Sequence, residues 1–151
     1  MTDSPSSTRT TPMRRTSRSL PIALLRARES VMAPIREMLA DAGVTEQQWR
    51  VLRVLEEAGP LDGTEAARRT CLLPPSLTRI AQTLEAKGLV ERAVSERDRR
   101  RQVFSISPSG SALLAAYADQ ASEIAKGFET QLGKERFNQL LDLLGELQDP
   151  E

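Results

Sequence analysis

Two prolines and a glycine fix one helix in this chain, and the segments on either side are arranged around it. Pro75 suits the first position of a helix, where an amide hydrogen would have no intrahelical partner, and Gly88 suits the left-handed residue that closes one. Pro74 is disfavoured in the helical region before a second proline, so the pattern predicts a helix from Pro75 to Lys87 that starts no earlier. Within it Leu77, Ile80, Ala81 and Leu84 share one side at about 100° per residue, while Pro75, Thr78, Arg79, Gln82 and Ala86 turn outward. One side builds core, and the other is free to enter a groove.

A shorter helix precedes it, with Asp62 as N-cap and Glu65 placed to complete a capping box. Ala66 and Ala67 are small enough for the two helices to pack closely, which makes the pair a helix-turn-helix. After Gly88, LVERAV and QVFSI read as two short strands joined by SERDRRR. Arg97, Arg99, Arg100 and Arg101 crowd that tip together with Glu96 and Asp98. Taken alone, such a run is a solvated charged turn. Directly after a helix-turn-helix it suits phosphates or the minor groove, where negative potential is focused.

Composition narrows the function classes. A chain of 151 residues is long enough for one domain with a real core, and its 21 basic residues balance its 21 acidic ones. Binding to nucleic acid must therefore rest on a local basic surface, which the hairpin tip supplies. Cys71 is the only cysteine and histidine is absent, so an internal disulfide is impossible and cysteine–histidine metal sites lack their ligands. With no evident nucleophile–base pair either, we expect no catalytic residues, no cofactor and no metal. No apolar run approaches the roughly 18 residues needed to cross a bilayer, and a cytoplasmic location is expected. Cys71 falls in the turn between the two helices. The sequence admits two readings for it: a small buried hydrophobe beside Leu72 and Leu73, or a reversibly oxidised switch.

The flanks supply the rest. Residues 1–19 are rich in Ser, Thr, Pro and Arg and are expected to form a disordered basic tail. Residues 20–60 should form N-terminal helices. Leu24, Val31, Ile35 and Met38, with Leu25, Met32 and Leu39 beside them, make an apolar stripe, and Pro34 should bend it. Arg28 falls inside that stripe and needs an anionic partner, either a protein carboxylate or that of a bound effector. Thr45 and Gln48 form a capping box for the next helix, whose core face is Val51, Leu52, Val54, Leu55 and Ala58. Trp49 and Arg53 lie off the centre of that face. They either line a pocket for an aromatic acid or form a cation–π pair packed on the first helix. Residues 108–148 should hold two more helices, carrying Leu113, Leu114, Tyr117, Ile124 and Phe128, then Phe137, Leu140, Leu141, Leu144 and Leu147. These stripes exceed what a small reading domain can cover, so a second subunit should meet them. Twofold symmetry would place the two outward helices about one DNA turn, ~34 Å, apart on a palindromic site.

The order of TEQQWRVLRVL, the helix-turn-helix with SLTRI, EAKGLVER and DRRRQVFSISPSG resembles the MarR family of winged-helix transcription factors. SLPIALLRARE with TEQQWRVLRVL further resembles the branch regulating homoprotocatechuate (hydroxyphenylacetate) degradation operons, and the likeness runs from about Leu20 to Leu147. It implies a mainly α fold with a small β-hairpin wing: a winged helix-turn-helix domain over 61–107 plus a helical dimerisation region. It also implies a homodimeric repressor of double-stranded DNA, released by a small aromatic carboxylate. Ser76, Thr78 and Arg79 match the family's S-x-T-R start of the recognition helix, with Ser76 and Thr78 reaching phosphates or base edges and Arg79 reading guanine. Arg100 matches the wing arginine that enters the minor groove, with Asp98 holding its guanidinium. Gln82, Arg97 and Arg99 complete the expected DNA surface, and Arg28, Trp49 and Arg53 the expected effector site. A redox-responsive regulator acting through Cys71 is the alternative. Leu73 and Pro74 stand where relatives often carry a polar cap.

Overall fold

A computed structural model describes residues 11–148, which divide into two compact units, one ending at Met32 and the other beginning at Ala33. Of the tail expected to be disordered, residues 1–10 lie outside the described residues, and Thr16–Arg18 form one 3-10 turn. Helix α1 (Leu20–Ala42) carries Pro34 inside it without ending there. In the N-terminal unit the apolar side chains Leu20, Leu24, Leu25 and Val31 are exposed to solvent. So is Arg28, and the chain therefore does not sequester its guanidinium in an apolar stripe.

The second unit is built on α2 (Glu46–Ala58), which opens with the expected capping box. The Gln48 amide donates to Thr45 Oγ1 at 3.1 Å, and the Thr45 amide donates back to Gln48 Oε1 at 3.1 Å. Val51, Leu52 and Leu55 of this helix are buried with Ala66, Ala67, Leu77, Ile80, Ala81 and Leu84 of the two helices that follow. Each fully buried leucine contributes about 1.5–3 kcal/mol by leaving water. The cluster is thus what holds α3 (Gly63–Thr70) and α4 (Pro74–Ala86) in their mutual orientation.

Three strands stand beside these helices: β1 (Leu61–Asp62), β2 (Val90–Val94) and β3 (Gln102–Ile106), antiparallel in the order β1-β3-β2. The hairpin was expected, and its register pairs Val90 with Ile106 and Val94 with Gln102. The two-residue β1 was not expected. Leu61 pairs with Phe104 and Asp62 with Val103, which seats the start of the reading domain on the inner strand of the wing. Ser107 then joins three elements. Its buried hydroxyl donates to the Gly88 carbonyl at 2.6 Å and accepts from the Gly110 amide at 3.0 Å, capping α5 (Pro108–Leu132) while tying it to the end of α4. Gly133 closes α5 at φ +87°, and α6 (Lys134–Glu146) buries none of its residues within the chain. Leu140, Leu141 and Leu143 on α6, and Leu147 just beyond it, are left exposed, the surplus of apolar surface that the sequence foreshadows.

Candidate nucleic-acid interface and effector cavity

Asp62 caps α3 as expected, its Oδ1 accepting from the Glu65 amide at 2.8 Å. The other half of the predicted box is absent. The Glu65 carboxylate instead takes Arg68 at 2.7 Å and Arg69 at 2.8 Å along its own helix, because two guanidiniums outcompete one amide. Hydrogen bonds from Arg68 and Arg69 pull the Glu65 carboxyl from 4.5 down to about 2. At the other end of α3, Thr70 is fully buried, and its carbonyl accepts from Arg50 Nη1 of α2 at 2.7 Å. A cation at the negative end of a helix dipole is favourable, so Arg50 both satisfies and fixes that terminus. Cys71 follows in the left-handed region at φ 55° and is exposed, which corrects the expectation of a buried hydrophobe.

Helix α4 begins at Pro74, one residue before the sequence reading placed it. The first turn of a helix needs no amide donors, so two successive prolines fit at its first two positions, and this outweighs the pre-proline penalty. At the far end Gly88 has φ +72° and the Leu89 amide reaches the Leu84 carbonyl at 2.9 Å, the Schellman closure that the glycine implied. Leu77, Ile80, Ala81 and Leu84 are buried, Ser76 is half-buried, and Thr78, Arg79 and Gln82 are exposed. The Arg79 guanidinium and the Gln82 amide make no hydrogen bond or ion pair among the described residues and are free to meet a ligand. Thr78 differs from expectation: its hydroxyl donates back to the Pro74 carbonyl at 3.1 Å, so its proton is already engaged.

The wing tip is shaped by Asp98. Its Oδ1 accepts from the Arg100 backbone amide at 3.0 Å and its carbonyl from the Arg101 amide at 3.0 Å, while the Ser95 amide closes onto the Arg101 carbonyl at 2.9 Å. Asp98 therefore folds the loop and does not hold the Arg100 guanidinium, as the resemblance had implied. Its second oxygen lies 3.8 Å from Arg101, which also reaches Asp62 at 3.3 Å. Arg97, Arg99 and Arg100 are exposed and form no ion pair among the described residues. Arg92 of β2 clasps Glu85 of α4 at 3.1 Å, a link between wing and recognition helix that sequence reasoning missed. A cleft of about 260 Å³ separates Pro74 and Thr78 from Arg100 and Gln102. Exposed helix, cleft and arginine tip thus form one continuous surface.

A second, open cavity of about 680 Å³ lies between α2 and α5, lined by Trp49, Arg53, Glu57, Ser111, Leu114 and Ala118 among others. Trp49 is 9% exposed and meets Tyr117 edge to face, centroids 6.4 Å apart at 88°. An aromatic pair in this geometry stabilises by about 0.5–1.5 kcal/mol beyond its area. Tyr117 is the aromatic partner of Trp49, where the sequence offered Arg53 for a cation–π pair. The Tyr117 hydroxyl donates to Asp41 Oδ2 at 2.8 Å, and this hydrogen bond to a carboxylate raises its pKa above 10.0. Glu56 is occupied by Ser111, whose hydroxyl donates at 2.6 Å. Arg53 is exposed at the cavity wall and pairs with no group among the described residues. The cavity thus combines an aromatic wall and small alanines with one guanidinium, Arg53, and the carboxylates of Glu56 and Glu57.

A sequence model of the MarR family matches residues 42–101, which span the end of α1, α2, the helix-turn-helix and the first strand and tip of the wing. The HTH-type transcriptional regulator FarR of Neisseria gonorrhoeae is 40% identical over 129 residues, covering 85% of this chain and 88% of that protein. The homoprotocatechuate degradative operon repressor of Escherichia coli is 40% identical over 128 residues, covering 85% and 86%. A solved structure of NadR in complex with 4-hydroxyphenylacetate superposes with a TM-score of 0.81 at 38% identity, covering 93% of this chain and all (100%) of that one. Family model, full-length relatives and superposed fold agree with the reading head and wing described above: the chain belongs to the MarR family of transcriptional regulators.

Proposed function

We propose that this protein is a homodimeric repressor that binds a palindromic double-stranded operator and is released from it by an aromatic carboxylate. The observation that carries the reading is the pairing of two surfaces in one unit. One is an exposed recognition helix and arginine wing with no protein partner for Arg79, Arg97, Arg99 and Arg100. The other is an aromatic-walled cavity with Arg53 available. Arg79 and Gln82 contact base edges, Ser76 lies beside the backbone, and Arg100 enters the minor groove with Arg97 and Arg99 on flanking phosphates. The apolar faces of the α1 start, α5 and α6 pack against a second copy, a role supported by the exposed leucines. The effector's ring stacks on Trp49 and its carboxylate meets Arg53. The similarity to a homoprotocatechuate operon repressor and to a regulator solved with 4-hydroxyphenylacetate supports hydroxyphenylacetates as the effector class and their degradation operon as the target. Helices long and apolar enough to cross a membrane are absent among the described residues.

The test is a fluorescence-anisotropy titration on DNA from the gene's own upstream region at fixed salt. Tight binding relieved by a hydroxyphenylacetate, lost in Arg100→Ala with the dimer intact and insensitive to effector in Arg53→Ala, is the expected result. Unchanged affinity in Arg100→Ala removes the minor-groove assignment. Specific binding indifferent to hydroxyphenylacetates, benzoates and salicylate alike removes the effector.

A further inference from the structure

The tip of the recognition helix is chemically unusual for a surface placed to meet DNA. Of the first three residues of α4, Pro74, Pro75 and Ser76, only Ser76 carries an amide hydrogen. The Leu77 amide is already bonded to the Leu73 carbonyl at 3.0 Å. Leu73 occupies the N-cap with no side-chain acceptor and stands 73% exposed, and Pro74 and Pro75 beside it are exposed as well. Thr78, on the next turn, has its hydroxyl proton engaged by the Pro74 carbonyl at 3.1 Å. This end of the helix can clasp few phosphates through its backbone and offers almost no donors to base edges. What it offers is contiguous hydrocarbon.

The largest apolar feature of the major-groove edge is the 5-methyl group of thymine. We infer that Leu73, supported by Pro74 and the engaged Thr78, is a specificity-determining residue that reads a thymine methyl in each half-site. The inference rests on the DNA-binding reading above and adds to it the identity of a base and the residue that selects it. Leu73 is exposed and anchors no core, so its exposure has no role in the fold. In the groove, the same side chain and the methyl would leave water together.

The experiment starts from a pool of random-sequence duplexes enriched on the full chain. The selected duplex is then synthesised with each thymine replaced in turn by uracil, symmetrically in both half-sites. Affinities are measured by anisotropy at fixed salt for the wild type, Leu73→Ser and Leu73→Ala. Losing one buried methyl weakens binding about fourfold, so a symmetric pair gives roughly fifteenfold in the wild type. In both variants the penalty at that position falls below about twofold. Uracil tolerated at every position, or a penalty of the same size in both variants, overturns the inference while leaving the repressor reading intact. A pool that yields no preferred sequence removes the DNA-binding reading, and this inference falls with it.

Discussion

Replacing Arg50 with Met tests whether one side chain fixes the approach of the helix-turn-helix to the rest of the chain. Arg50 Nη1 donates at 2.7 Å to the carbonyl of Thr70, a residue with 0% of its surface exposed, at the C-terminal end of α3. Methionine keeps most of the packing of the stem and removes the donor. The stranded buried carbonyl then costs about 1–3 kcal/mol. The second contact of Arg50, 3.5 Å to Glu46, is a partly exposed i,i+4 pair, worth about 0.3–0.5 kcal/mol, and Glu46 keeps Arg36 at 3.8 Å. The sum is about 2 kcal/mol. Urea denaturation should show the midpoint falling with the slope unchanged, and thermal melting should drop by roughly 4–8 °C for a domain of this size. Arg50→Lys retains one donor and a charge near the helix end, so it should recover about half of the loss. A loss below about 0.5 kcal/mol in Arg50→Met would refute the argument, because it would mean water replaces the guanidinium at that carbonyl without penalty.

A Cβ on Gly110 would run into the Leu89 carbonyl and come within 2.6 Å of Ile106 Cγ1, so Gly110→Ala should destabilise by about 1–3 kcal/mol or more, read by thermal melting. Glu65 has a folded-state carboxyl near 2 against 4.5 in the reference state, so its ionised form favours the fold. That contribution is complete above about pH 4.5 and is lost as pH falls toward 2, and Glu65→Gln should flatten this part of the acid limb in a pH series of urea midpoints. The same substitution releases Arg69 for phosphates and should steepen the salt dependence of non-specific DNA binding, whereas an unchanged salt slope would mean that Arg69 faces away from the duplex.

The parts of this fold that were legible in the sequence are those in which one residue type answers one local demand. Thr45 with Gln48, Asp62, Gly88, Ser107 with Pro108 and Gly133 all sit at the helix ends that their chemistry marks. The apolar face of α4 followed from its period alone. What stayed hidden depends on partners far apart in the chain. Nothing in the neighbourhood of Leu61 announces that it pairs with Phe104, and a two-residue strand has no periodicity to detect. Arg50, Arg92 and Tyr117 look like ordinary surface residues until the fold brings them to Thr70, Glu85 and Asp41. The errors at Glu65 and Asp98 share a cause. A carboxylate with several donors in reach chooses by geometry: Glu65 turned to guanidiniums and Asp98 to a backbone amide, the reverse of what the motifs implied in each case. Trp49 lines the cavity with Arg53, and its ring partner stayed hidden because the edge of Tyr117 arrives from α5.

Helix α2 carries both ends of the proposed switch. Trp49 and Arg53 face the cavity, while Arg50 points to α3, and these positions span only about 6 Å of a rigid rod at 1.5 Å per residue. On the proposed mechanism, an effector seated between α2 and α5 releases DNA by favouring a position of α2 that the DNA-bound reading head disfavours. A release of ten- to a hundredfold requires about 1.4–2.7 kcal/mol of preference between the two states. Breaking the Arg50 hydrogen bond to a buried carbonyl costs about the same, 1–3 kcal/mol, so this single tether is strong enough to transmit the whole response. Arg50→Met should therefore bind effector normally, as read by Trp49 fluorescence, yet show a much smaller effector-induced change in operator affinity than the wild type. Full release in that variant would mean that the coupling runs elsewhere, through the α5 contact at Ser107 and Gly110 with the wing.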